Sequence, residues 1–202
     1  MRPWVLLTQA GIAFEEIQLK FSDAGGIPGI EPYSPTQQVP VLIVDGEPVW
    51  DSLAICEAVA EMYPGKQLWP AAARARQVAR SVCAEMHAGF RELRDTMPMN
   101  IRASLPGRGM SPAVQRDIDR IVSIWESCRE RFGGEGELLF GQFTIADAYY
   151  APVATRFLTY DVALPATAQR YADALLALPA VQQWMAQARR ETEFVRADEP
   201  YA

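Results

Sequence analysis

Hydrophobic and polar positions follow two different periods along the chain. Near the start, apolar residues recur at helical spacing over residues 3–10, and the glycine that follows is typical of a helix end. The next segment, residues 13–20 (AFEEIQLK), alternates between apolar and polar side chains and is predicted as a strand. Residues 21–35 are rich in glycine, proline, serine and aspartate, so we expect them to be irregular.

A β-hairpin is predicted next. Residues 39–44 form an apolar run, Asp45-Gly46 is a dipeptide that favours tight hairpin turns, and residues 48–50 form a second short strand. Pro48 places that second strand at a sheet edge or makes proline its first residue. A helix over residues 52–63 follows, and the Pro-Gly pair after it is a stop signal.

The remainder of the chain has a helical period throughout. One apolar stripe occupies residues 72–93 and a second occupies residues 114–125. The segment between them is predicted as a loop, with Ser111 as the cap of the second helix. The sequence therefore predicts an α/β part over residues 1–64 and an all-helical part over residues 71–202.

Thr144 and Asp147 form a Thr-x-x-Asp pattern at the start of another helical segment. This pattern is a variant of the capping box, in which side chains at a helix start accept hydrogen bonds from free backbone N–H groups. We therefore assign Thr144 and Asp147 a structural capping role and not a catalytic one. Pro152, inside the same segment, predicts a kink or an early end of the helix.

Composition and charge exclude several classes of protein. Half of the 202 residues are hydrophobic, which predicts a packed globular fold. The net charge is −6 and no basic stripe is present, so a nucleic-acid partner is not expected. No apolar run approaches the ~18 residues of a membrane-spanning helix, and the opening residues do not match a secretory signal.

The chain has three cysteines and one histidine. Cys56, Cys83 and Cys128 are widely spaced and form no CxxC pair, so we expect reduced, buried thiols. His87 is not accompanied by other metal-ligating or nucleophilic residues in a known pattern, so neither a metal centre nor a Ser-His-Asp arrangement is predicted. Its place in a helical pattern favours a structural or surface role.

Three further segments stand out by their order: QVPVLIVDGEPVWDS at residues 38–52, FTIADAYYAP at residues 143–152 and LPAVQQWMAQA at residues 178–188. In this order they resemble signatures of the soluble glutathione transferases. The opening RPWVLLTQAGIAFEEI, residues 2–17, is similar to the first helix and second strand of bacterial members related to the zeta class. The resemblance implies a thioredoxin-like N-terminal domain, an all-helical C-terminal domain, a cytoplasmic location and a homodimer.

The resemblance assigns residues around the predicted hairpin to glutathione. In the family the proline of the Val-Pro pair is cis, and the backbone of the preceding residue pairs with the glutathione peptide. Gln38, Val39 and Pro40 would then form one side of the site. Ser52 would bind the γ-glutamyl carboxylate at a helix start, which favours anions, and Asp51 would help to orient the ligand. The alternatives are a trans proline at a strand start and a purely capping role for Asp51.

The group that activates the glutathione thiol is expected upstream of Met1. In the family a strand before the first helix leads to a Tyr, Ser or Cys, and in the similar bacterial proteins a serine-rich stretch precedes residues that match MRPWV. We therefore interpret Met1 as an internal methionine, regard the first strand as missing from the chain, and assign no catalytic residue within it. Arg2 is a charged group at this position that could hold an anion; a structural role is the alternative.

A pocket for the second substrate is expected between the two domains. The candidates are Met86, Phe90, Met97, Asn100 and Arg102, with Tyr149, Tyr150 and Arg156 as further options. Methionine and aromatic residues at helical spacing are also typical of a buried core, so this alternative stays open. The arginines favour an anionic acceptor.

The resemblance implies an enzyme of detoxification that transfers the glutathione thiolate to a small electrophile. Two alternatives remain: a glutathione-dependent isomerase of the zeta (maleylacetoacetate isomerase) kind, and a glutathione-binding or carrier protein without catalytic activity. Glutathione is the expected co-substrate. No metal is expected, and neither nucleic acid nor a membrane is an expected partner.

Overall fold

The computed structural model describes residues 1–22, 25–196 and 199–201. Within these ranges the chain forms eight α-helices and one two-stranded sheet. In chain order the elements are α1 (Arg2–Gln9), β1 (Leu42–Val44), β2 (Glu47–Val49), α2 (Ser52–Met62), a 3-10 turn (Pro64–Lys66), α3 (Ala73–Ala88), α4 (Arg91–Thr96), α5 (Pro112–Phe132), α6 (Ile145–Tyr160), α7 (Ala166–Leu176) and α8 (Pro179–Ala188). The predicted fold class, a small α/β part followed by helices, is confirmed.

The sheet is an antiparallel hairpin around Asp45-Gly46. Both turn residues have positive φ, 51° at Asp45 and 86° at Gly46. Glycine adopts such angles without a steric penalty, and the Asp-Gly pair is typical of this kind of hairpin turn. Leu42 pairs with Val49 at the open end of the hairpin. β1 is three residues shorter than predicted, because Pro40 has no N–H to donate to a ladder. β2 begins and ends one residue earlier than predicted.

The predicted strand at residues 13–20 is wrong, because this segment has no regular secondary structure. A strand needs a ladder partner for its backbone groups, and the β1–β2 sheet does not extend to this segment. Its apolar side chains also stay partly on the surface, with Phe14 39% and Ile17 54% exposed. A side-chain contact anchors it to α1 instead: Trp4 Nε1 donates to Glu16 Oε2 at 3.0 Å.

The first apolar stripe of the helical part is divided between α3 and α4. Gly89 ends α3, with its N–H donating to Glu85 C=O at 2.8 Å, and Phe90 adopts a left-handed φ of 59°. A Cβ at Gly89 would lie 2.8 Å from the Glu85 carbonyl oxygen, so only glycine fits there without movement. The break turns α4 onto α5, where Leu93 N–H donates to the Asp117 carboxylate at 3.0 Å.

Helix α6 lies at the centre of the core. Most of its residues are buried, and α1, α3 and α7 pack against it. Trp125 of α5 completes this core beside Tyr150 and Tyr171, with ring centroids 5.8 and 4.8 Å away. The helix continues through Pro152 to Tyr160, so the early end that the sequence allowed does not occur, because packing on all sides holds the residues after the proline in place.

Asp147 is fully buried in the first turn of α6. Its carboxylate accepts hydrogen bonds from Thr144 N–H (2.8 Å), the Thr144 hydroxyl (3.0 Å) and Leu139 N–H (3.1 Å). Burial raises the pKa of Asp147 to about 6, while these donors act in the opposite direction. The side chain therefore ties the preceding loop to the start of the helix.

The two parts of the chain share one hydrophobic cluster. Helix α1 packs not only against α2 but also against α6 and α8. The N-terminal residues therefore lie against the helical part, and side chains from both parts meet along α1. None of the helices in the described ranges has the length and apolar character that a membrane span requires.

Candidate functional site

A buried serine holds the loop before the hairpin. Ser34 is 3% exposed, and its hydroxyl donates to Gln38 C=O (2.9 Å) and accepts from Gln38 N–H (3.1 Å). The Gln38 side chain itself is exposed. The next peptide, Val39–Pro40, is cis. The two bonds to Ser34 therefore fix the backbone immediately before Val39, a role that the sequence did not indicate for this serine.

Val39 presents its backbone at the surface. The residue is 49% exposed, and its N–H and C=O make no hydrogen bond with any residue in the described ranges. Unpaired donor and acceptor groups on a fixed loop are what an added strand or peptide recognises. Val39 can therefore form a pair of backbone hydrogen bonds with a peptide ligand.

The other end of the hairpin leads to the start of α2. Because Leu42 pairs with Val49, the chain enters β1 and leaves β2 at the same end of the sheet. Asp51 is the N-cap residue of α2, and its Oδ1 accepts from Leu53 N–H at 3.2 Å. Ser52, the first helical residue, is 6% exposed. The hairpin thus brings the Val-Pro loop and a helix N-terminus to one edge of the fold.

A tyrosine from α6 contacts this helix start. The hydroxyls of Ser52 and Tyr149 are buried and 2.9 Å apart. Burial raises the pKa of Tyr149, so its phenol stays protonated at neutral pH and can donate to Ser52 Oγ. When Tyr149 donates, the proton of Ser52 is free for another acceptor, such as an anion at the helix start.

Asp51 is also in contact with the helical part. Its Oδ2 lies 3.0 Å from His87 Nε2, near the end of α3. His87 Nδ1 is buried and has no hydrogen-bond partner within the described residues. The sequence favoured a structural or surface role for His87. No local pattern around His87 could have indicated its contact with Asp51.

Three of the five predicted second-substrate residues lie in the interior. Met86 and Met97 are at most 2% exposed, and Phe90 is 7% exposed; all three belong to the hydrophobic cluster. In this arrangement they shape the core behind the site and offer little surface to a ligand. Their assignment to the second substrate stays a prediction.

Asn100 and Arg102 lie in the loop after α4, which contacts the C-terminal residues. Arg102 donates to Glu191 C=O (2.7 Å) and to Glu199 Oε1 (3.1 Å). Asn100 lines a cavity of about 100 Å³ beside Tyr201, and Arg102 lines another of about 280 Å³ between this loop, α6 and α8. These two residues therefore line cavities, whereas the methionines lie in the core.

All three cysteines are free and buried. Burial raises the pKa of Cys56 to about 12, that of Cys128 to about 11, and that of Cys83 well above its ordinary value. Because a thiolate is the reactive form, none of these thiols is a nucleophile at neutral pH. Among the described residues, no three His, Cys, Asp or Glu side chains are grouped so that they could hold a metal ion.

Three partly buried arginines, Arg2, Arg94 and Arg156, donate to backbone carbonyl groups. The Arg2 guanidinium lies 4.6 Å from the centre of the Tyr149 ring, and its Nε donates to Tyr149 C=O at 3.3 Å. Arg94 of α4 donates to the backbone carbonyl of His87 at 3.0 Å, and Arg156 of α6 donates to carbonyls of α6 and of the loop after α4. The sequence did not single out Arg94.

Two family models match the chain, one on each part. Residues 1–62 match the model described as glutathione S-transferase, N-terminal domain, and residues 111–187 match glutathione S-transferase, C-terminal domain. Together the two matches span well over half of the sequence. The chain belongs to the glutathione S-transferase family. The fold and the order of the two parts agree with this assignment.

Solved glutathione S-transferases share the fold. A glutathione transferase homolog from Burkholderia gl BGR1, with bound glutathione, is 25% identical with a TM-score of 0.67, over 93% of this chain and 89% of that one. BphK, a bacterial GST solved as a ternary complex, is 20% identical with a TM-score of 0.64, over 93% of each chain. Ure2p5 from Phanerochaete chrysosporium, cocrystallised with 1-(S-glutathionyl)-2,4-dinitrobenzene, is 19% identical with a TM-score of 0.67, over 96% of this chain and 92% of that one. No curated protein sequence matches the chain significantly.

Proposed function

We propose that this glutathione S-transferase binds glutathione between Val39 and Ser52 and transfers its thiolate to a small electrophile. The observation that carries the proposal is the exposed and unpaired backbone of Val39, which lies on a fixed loop at the same end of the hairpin as the α2 N-terminus. The peptide of glutathione would pair with Val39. Its γ-glutamyl carboxylate would accept from the Ser52 hydroxyl and the free N–H groups of α2.

The bound glutathione in the Burkholderia homolog supports this choice of ligand. In the transfer, the glutathione sulfur forms a bond with an electrophilic carbon, and the leaving group departs with the electron pair. The buried, protonated cysteines of this chain do not compete as nucleophiles. By analogy with the family we place the enzyme in the cytoplasm as a homodimer that acts in detoxification, with residues 1–64 as the glutathione-binding domain and residues 71–202 as the helical domain.

Calorimetric titration of glutathione into two matched variants tests the site. Ser52→Ala removes the hydroxyl that would bind the carboxylate, and we expect the Kd to rise about tenfold. Tyr149→Phe removes the partner of Ser52 but leaves that hydroxyl, so the Kd should change by less than about threefold. A conjugation assay with 1-chloro-2,4-dinitrobenzene measures the transfer. If the wild type does not bind glutathione, or if both variants bind as the wild type does, the site assignment is wrong.

A further inference from the structure

A cavity of about 280 Å³ lies in the helical part, at the ends of α6 and α8. Its lining comes from three separate segments, which are the loop after α4, the last turns of α6 and the end of α8. Thr159 of this lining lies about 15 Å along the α6 axis from Tyr149, the residue that contacts Ser52. The cavity shares no lining residue with the proposed glutathione site. It is therefore a second place at which a small molecule can contact the protein.

The lining of this cavity combines apolar side chains with positive charge. Ile101, Leu158 and Met185 form its apolar portion, and Leu158 is 56% exposed. Arg102 and Arg189 supply two positive charges, and no described residue of the lining is an aspartate or a glutamate. The chain as a whole has a net charge of −6, so the cavity reverses that charge locally. An apolar surface beside two guanidinium groups suits a ligand with an apolar body and an anionic group.

The guanidinium group of Arg189 is available to a ligand. The residue is exposed, and its side chain makes no ion pair or hydrogen bond with any other residue that the structure describes. Arg190, the next residue, is exposed as well but does not line the cavity. Arg189 can therefore donate two parallel hydrogen bonds from its planar fork to a carboxylate that enters the cavity.

Arg102 already binds a carboxylate of the chain itself. Its Nη2 donates to Glu199 Oε1 at 3.1 Å, and its Nη1 donates to Glu191 C=O at 2.7 Å. The Glu199 carboxylate is thus held through one nitrogen, without the two parallel bonds of a bidentate pair. The contact shows that a carboxylate fits against Arg102, and a partly exposed pair of this kind contributes little to stability. The carboxylate of a ligand can therefore compete with Glu199 for Arg102.

We propose that this cavity binds a small amphipathic carboxylate independently of glutathione. The carboxylate group would bind Arg189 and Arg102, and the apolar body would contact the three apolar side chains of the lining. Glu199 would act as an internal competitor, because its own carboxylate pairs with Arg102. The inference goes beyond the proposed function and does not rest on it, since the cavity and the proposed glutathione site have no residue in common.

Two small molecules that differ only in their head group provide the test. Calorimetry would measure the Kd of 4-phenylbutyrate and of 4-phenylbutanol for the full chain, with and without excess glutathione. We expect the carboxylate to bind about tenfold more tightly than the alcohol, as a charge-assisted hydrogen-bonded pair allows, and glutathione to leave its Kd unchanged. Equal affinities, or no binding of either compound, would overturn the proposal. Competition by glutathione would also overturn it, because the carboxylate would then occupy the start of α2.

Substitutions around the cavity identify the residues responsible. Arg189→Gln should remove most of the preference for the carboxylate, whereas Arg190→Gln, outside the lining, is the matched control and should preserve it. Leu158→Ser should weaken both compounds by a similar factor, because it removes apolar contact but no charge. Glu199→Gln should tighten the binding of 4-phenylbutyrate alone by about threefold, because the competing carboxylate is lost. If Arg189→Gln and Arg190→Gln reduce the preference equally, general surface charge attracts the carboxylate and the assignment to the cavity is wrong.

Discussion

His87 Nε2 lies 3.0 Å from Asp51 Oδ2, so α3 of the helical part contacts the cap of α2 directly beside Ser52. The Asp51 carboxylate thereby has two partners, because its other oxygen accepts from Leu53 N–H. Through this contact, a residue of the helical part helps to position Asp51 at the proposed binding site of the γ-glutamyl carboxylate. Both side chains are partly exposed, at 34% and 55%, so the contribution of the pair to stability is expected to be small.

His87→Ala is expected to weaken glutathione binding by about two- to fivefold, because Asp51 loses the partner that orients it. His87→Gln can keep a donor near Asp51 and should have a smaller effect. Calorimetry on the two variants measures the difference. Equal affinities for the wild type and both variants would show that His87 does not position Asp51.

Ser34→Ala is expected to lower the free energy of unfolding by about 1–2 kcal/mol, because both backbone groups of Gln38 lose their hydroxyl partner. The loop that presents Val39 should become less ordered, and the Kd for glutathione should rise as well. Thr36→Val is the matched control, since Thr36 contacts Ser34 but not Gln38. If Ser34→Ala binds glutathione with wild-type affinity, the hydrogen bonds between Ser34 and Gln38 have no role in presenting Val39.

The three cysteines should be unreactive in the native protein. They are buried, and burial raises the pKa of each thiol, so little thiolate forms at neutral pH. We expect a chromogenic disulfide reagent such as dithiobis-nitrobenzoate to label essentially no thiol in buffer and all three in guanidinium chloride. Rapid labelling of a thiol in buffer would contradict the packing around that cysteine.

Asp147 should make the free energy of unfolding depend on pH with a sign opposite to that of a salt-bridged aspartate. Burial raises its pKa in the folded protein to about 6, above the ordinary value, so the folded state binds a proton more tightly than the unfolded state does. Its contribution to stability therefore increases as the pH falls through 6 towards the unfolded pKa. Relative to Asp147→Asn, the wild type should gain about 2 kcal/mol between pH 7.5 and 4.5.

Urea unfolding of both proteins at the two pH values measures this difference, and the subtraction removes the titration of the other groups. Asp147→Asn itself should be destabilised at neutral pH, because an amide cannot accept from all the donors around this site. If the wild type's excess in free energy of unfolding over Asp147→Asn becomes smaller as the pH falls, the folded protein favours the ionised carboxylate and the prediction is wrong.

Helix starts that depend on a few neighbouring residues were predicted correctly from the sequence. Helix α2 begins at the predicted residue, and Ser111 caps α5 by accepting from Val114 N–H at 3.2 Å. The strand predicted at residues 13–20 failed because alternation describes a half-buried surface and does not supply a ladder partner. The break between α3 and α4 was missed because the apolar stripe continues across Gly89, although the helix does not.

The sequence by itself determined the order of an α/β part and a helical part, the turn at Asp45-Gly46 and the polar start of α2. Periodicity, turn chemistry and helix capping depend on a few neighbouring residues, so they can be predicted from short segments. Only the tertiary structure placed Tyr149 against Ser52, His87 against Asp51, and Arg2 over the Tyr149 ring. These contacts join distant segments, and they exist because α1, α3 and α6 pack together around a common core.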